Sequence, residues 1–158
     1  MTRGLTSQKA HVVAPPPGVA LDVKPESCPN PLNTKDKGWL PMAILGTEDF
    51  DVTQVDPVSL HLEHLTGVAP VTWALEDVAT PYEPYLGKAD AYECTEAGPD
   101  GYLDLTLKFD AQEVVAALGE LSDGDVMVLH IGGTLKEAYG GTAIVGEDVV
   151  WIIKKGKD

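Results

Sequence analysis

A chain of 158 residues, 44% hydrophobic and 23% charged, suits one globular domain with a core of its own. It has no apolar run of about 18 residues to cross a membrane, and Met1-Thr2-Arg3-Gly4-Leu5 lacks the apolar centre of a signal peptide, so if the protein is exported, either its leader is already gone or the sequence is a fragment. Its 25 acidic against 11 basic residues give a net charge of −14, a field that repels phosphate backbones and anionic lipid. Nucleic acid is thereby excluded as a main partner, and divalent cations are favoured over polyanions.

In chain order, residues 1–18 stand apart. Residues 1–10 are polar and weakly patterned, His11-Val12-Val13-Ala14 is a short extended piece, and Pro15-Pro16-Pro17-Gly18 reads as a stiff polyproline joint. This predicts an arm or linker over 1–18 and a domain over 19–158. The domain opens on a short alternating strand at 19–23 and a loop over 25–38. Residues 39–45 are apolar but carry Pro41, which predicts an edge or bulged strand because proline cannot donate to a ladder. Residues 47–56 are acidic and turn-like, and 59–65 and 71–75 alternate at period two. Residues 79–99 form a long irregular insertion bearing Tyr82, Tyr85, Tyr92 and Cys94; loops of that size are usually functional or tied down.

The clearest strand follows, with Leu103, Leu105, Leu107 and Phe109 on one face and Asp104, Thr106 and Lys108 on the other. Asp110 and Glu113 imitate a capping box, so a short helix is predicted near 111–118, ended by Gly119. Residues 125–131 read as another strand. Residues 143–145 and 149–153 read as a closing strand pair around Gly146-Glu147-Asp148. Seven or eight short strands with turn signals and one helix predict a mostly all-β protein, an antiparallel β-sandwich.

Five stretches carry a resemblance. They are Leu21-Asp22-Val23-Lys24-Pro25-Glu26-Ser27-Cys28-Pro29-Asn30-Pro31-Leu32-Asn33, Leu40-Pro41-Met42-Ala43-Ile44-Leu45-Gly46-Thr47-Glu48-Asp49-Phe50-Asp51-Val52, Leu75-Glu76-Asp77-Val78, Gly98-Pro99-Asp100-Gly101-Tyr102-Leu103-Asp104-Leu105 and Gly146-Glu147-Asp148. Spread over residues 19–153, they resemble an uncharacterised β-sandwich module that recurs in secreted and surface proteins of bacteria and archaea. The resemblance implies a place and a class, an appended non-catalytic piece of an exported protein, more than an activity.

Among candidate sites, Pro99-Asp100-Gly101-Tyr102-Leu103-Asp104 reads like the second half of a calcium loop, in which glycine allows the sharp turn and hard oxygens gather round the ion. In relatives of the module, the residues matching Glu76-Asp77-Val78 run directly into such a loop, whereas here 79–99 intervenes. Asp77, Asp100, Asp104 and the Tyr102 carbonyl are the expected Ca²⁺ ligands; the alternative is a plain Asp-Gly turn feeding a strand. Glu48, Asp49, Asp51 and Asp56 read as a solvated loop. Cys28 and Cys94 form either one bridge, which would indicate an oxidising compartment, or two separate buried thiols.

Catalytic patterns are missing. There is no Gly-x-Ser-x-Gly, no histidine at motif spacing from a cysteine, and no Walker lysine after Gly132-Gly133-Thr134 or Gly140-Gly141-Thr142, which read as hairpin turns. His61 and His64 fall on opposite faces of a strand, so they do not share a metal. The chain is therefore expected to be non-enzymatic: an extracellular or cell-surface structural or adhesion module, its partners further copies of itself or other surface proteins. His11, Val12 and Val13 are the arm expected to add as a strand to a neighbouring copy and so build a filament. The alternative function is a carbohydrate-binding module that stacks a polysaccharide on Tyr82, Tyr85 and Tyr92.

Overall fold

The computed structural model describes residues 17–154. His11, Val12 and Val13, with the rest of the arm up to Pro16, lie outside the described residues.

The described residues form eight strands, β1 (Gly18–Val23), β2 (Pro31–Asn33), β3 (Trp39–Leu45), β4 (His61–Leu62), β5 (Thr72–Glu76), β6 (Asp104–Asp110), β7 (Val126–Thr134) and β8 (Ala143–Ile153), with one α-helix, α1 (Ala111–Leu118), between β6 and β7. The mostly β composition and the single helix agree with the sequence. The two-sheet antiparallel sandwich does not. All eight strands belong to one curled, mixed sheet, a half-barrel, in the order β4-β7-β8-β1-β3-β6-β5, with β2 also paired to β8. The pairs β1/β8 and β2/β8 are parallel and the rest antiparallel. Turn signals report neighbours in sequence; the parallel contact between the first and last strands has no local signature.

The concave side holds the main core. Leu21, Val23, Leu40, Met42, Ile44, Leu105, Leu107, Phe109, Leu129, Ile131, Val150 and Ile152 come from the strands, and Val52, Val55 and Leu60 from the connection between β3 and β4. At about 25 cal/mol per Å² of apolar surface removed from water, this cluster is the dominant favourable term. The helix forms as expected: the Asp110 carboxylate accepts from the amides of Gln112 and Glu113, and Gly119 ends it with φ 83°. Ala111 and Val114 face the core.

Three local expectations are corrected. β3 is an interior strand, not an edge. Pro41 is tolerated because it falls one residue beyond the last β1 pair, Val23–Met42, where β1 has already ended and no ladder bond is lost. Gly132 and Gly133 lie inside β7 rather than in a turn, and a Cβ on Gly132 would meet the Glu63 side chain. Gly146-Glu147-Asp148 is not a turn either: β8 runs unbroken through it, with Gly146 packed against Val19 and Leu21. The loop joining β7 to β8 comes at Gly140-Gly141, both at positive φ.

Candidate functional site

The convex side is covered where β1, β3 and β6 lie together. Asp22 pairs across from Ala43, so the two share a face. That face also carries Ala20 and Leu45, small or apolar residues against which Val78, Ala79 and Tyr85 of the insertion pack. The insertion has no regular secondary structure between β5 and β6, so side chains and the disulfide must hold it. Cys28 and Cys94 are bridged, with Cα atoms 5.6 Å apart, which ties the far end of the insertion to the loop after β1. Of the two readings left open by the sequence, the bridge is the one present.

Asp104 anchors the base of the insertion. It is fully buried; one carboxylate oxygen accepts from the amide of Gly46 at 2.9 Å and the other from Val78 and Ala79 at 2.7 and 3.2 Å. Burial raises its pKa, against the lowering effect of these bonds. The strand alternation put Asp104 on a face opposite the leucines, and so it is, but that face is dry because the insertion lies over it. Asp77 receives the amides of Asp100 at 3.1 Å and Gly101 at 2.8 Å, and Asp100 receives that of Tyr102. The two halves of the acidic loop thus meet across the insertion. Their oxygens are committed to backbone amides, and among the described residues no three His, Cys, Asp or Glu side chains are gathered as a metal site.

Under the middle of the insertion lies a polar group that the sequence reading did not assemble. The Lys88 ammonium is buried and donates to Asp148 Oδ1 and to the Glu147 carbonyl, both at 3.1 Å, with the Tyr82 ring 5.5 Å away. Asp148 Oδ2 accepts from the Val23 amide at 2.8 Å and from Asn30 Nδ2 at 3.3 Å. The parallel β1/β8 ladder ends at Ala20–Glu147, and the Asp148 side chain takes the Val23 amide beyond that point. Glu147 accepts the amides of Gly87 and Lys88, both at 2.7 Å, and lies 3.3 Å from His130 Nε2. Asp22, 2% exposed, has no partner on either oxygen, nor does Asn30 on its Oδ1. Burial first, and the neighbouring Asp148 second, push Asp22 up to about 8; burial also raises Asp148. A signal was present in the sequence: acids at 22 and 148 sit within otherwise apolar strands. The turn-like Gly-Glu-Asp obscured the second.

The three tyrosines do not form one platform. Tyr85 packs on the alanine cluster, where burial raises its hydroxyl pKa, Tyr82 faces Lys88, and Tyr92 is well exposed.

Among the described residues, the β5 edge of the sheet is uncovered. Every residue of β5 is exposed, and β5 is a terminal strand bonded on one side to β6. Trp73 and Leu75 pair across from Leu107 and Leu105, so they share the core face, yet they are 42% and 49% exposed. Val71, 51% exposed, extends the same row. No protein-family model, curated protein or solved structure matches this chain.

Proposed function

We propose that the chain is a non-catalytic assembly module of an extracellular or cell-surface structure, which joins to further copies by strand addition. The observation that carries this is the unfinished end of the half-barrel, where the core-side residues Trp73 and Leu75 of the free-edged β5 lie open. An extended segment laid along β5 would take up its free backbone groups, and its alternate side chains would cover that row. The arm is the occupant we assign. It precedes β1, contains Val12 and Val13, and includes Arg3 and Lys9 with no acid, whereas all 25 acids lie in the remainder of the chain. Opposite charge favours docking of one copy's arm on the next copy's domain. A head-to-tail contact of this kind does not close on itself and grows into a filament.

The disulfide is compatible with an oxidising compartment and so with the exported class that the sequence resembles. Calcium is not required by this reading: an ion at Asp77, Asp100, Asp104 and the Tyr102 carbonyl would compete with the amides already bound to those carboxylates. Sedimentation of the intact chain against a chain lacking residues 1–16 tests the proposal. The intact chain is expected to form large, concentration-dependent species and the shortened chain to stay monomeric. Equal mass distributions would overturn it.

A further inference from the structure

The group around Lys88 has the parts of a self-cross-linking site. We propose that Lys88 and Asp148 condense to an intramolecular amide, with Asp22 as the proton carrier, so that the insertion is joined covalently to β8.

The geometry supplies the reacting pair and the donors around it, with a buried acid nearby. The nucleophile and the carboxyl are in contact, Nζ to Oδ1 at 3.1 Å, and both side chains are almost wholly buried, at 2% and 1% exposure. Such positioning replaces the entropy cost of bringing two reactants together. Oδ2 is held by the Val23 amide and by Asn30 Nδ2, two donors aimed at the oxygen on which negative charge develops when nitrogen adds to the carbonyl carbon. Asp22, on the residue before that amide, is a buried acid with no hydrogen-bond partner.

The step balances within these three side chains. A proton passes from the Lys88 ammonium to Asp148, leaving a neutral amine beside a neutral acid. The amine nitrogen bonds to Cγ, and the C–Oδ1 bond breaks. Asp22 gives its proton to the departing oxygen and regains one from the nitrogen. Ammonium and carboxylate are converted to an amide and one water. Burial favours this direction, because a desolvated ion pair is costly in an apolar interior while a neutral amide accepting two hydrogen bonds is not. Together with the Cys28–Cys94 bridge, the bond would fix the insertion at two points, one of them insensitive to reduction.

Mass spectrometry of the denatured, reduced full chain is the test. The expected mass is one water below that of the sequence, with a tryptic product in which the Lys88 and Asp148 peptides are joined. Lys88→Arg keeps the charge and should restore the full mass, and Asp148→Asn should lose ammonia instead of water. Asp22→Ala should slow or abolish the loss in a chain that still folds by circular dichroism. The full sequence mass in the folded, aged wild-type protein would overturn the proposal, as would a water loss that maps to any other pair.

Discussion

The centre of the sheet and its β5 edge solve the problem of closure in opposite ways. Around β1 and β8 the convex face is sealed by the insertion, which is bridged to Cys28 and anchored by Asp104, with its lysine sunk onto Asp148. At β5 none of the described residues covers the sheet, although Trp73 and Leu75 face the same side as the core leucines of β6. The contrast separates a region with local means of stability from one that, on the proposed function, another segment completes. An edge left open beside a carefully fastened loop is better explained as a docking place than as a weak spot, because exposed apolar edges otherwise invite nonspecific pairing.

The sealed centre should respond most to perturbation. Reducing the disulfide, or Cys94→Ser, frees a loop spanning 66 residues and should lower stability by about 4 kcal/mol on the chain-entropy estimate, read as a lower urea midpoint. An unchanged midpoint would mean that the insertion is held by its other contacts alone. Asp104→Ala strands the amides of Gly46, Val78 and Ala79 and should cost about 3 kcal/mol or more in the same titration.

Asp22 gives the sealed centre a pH dependence. It is protonated in the fold up to about pH 8 but ionises near pH 4 in the unfolded chain, so folding takes up a proton between those values. Its stabilising contribution is complete below about pH 4 and is lost as the pH rises toward 8, with a slope of at most about 1.4 kcal/mol per pH unit. Melting across this range should show the decline, and Asp22→Asn should flatten it. The smallest effect on the fold belongs to the open end. Trp73→Lys should alter monomer stability by about 0.5 kcal/mol or less, as an exposed substitution does, while weakening self-association at least tenfold, about 1.4 kcal/mol. A large loss of stability with unchanged association would reverse the roles assigned to the centre and the β5 edge.

Much of the fold was legible because period-two alternation is a local signal. β5, β6 and α1 came out nearly at their observed bounds, and the insertion was recognised as a tethered segment. What was not legible depended on distant partners. The parallel β1/β8 contact has no turn to announce it, and Pro41 is harmless only because β1 stops beside it. Gly146-Glu147-Asp148 has turn composition, yet it stays extended because Lys88, Val23 and Asn30 arrive from elsewhere to satisfy Asp148, and the amides of Gly87 and Lys88 to satisfy Glu147. Asp77 and Asp100 meet across the insertion, but their carboxylates accept from backbone amides that no motif reveals. Trp73 shares a face with Leu107 yet is exposed, because β5 is a terminal strand, a position no local pattern announces.

The central claim, that β5 is completed by the arm of another copy, is tested most directly by amide hydrogen exchange in the intact chain and in the chain lacking residues 1–16. The account predicts that β5 amides in the assembled intact protein are protected to nearly the level of β6, and that they exchange rapidly once the arm is removed. Rapid exchange of β5 in both forms would contradict it.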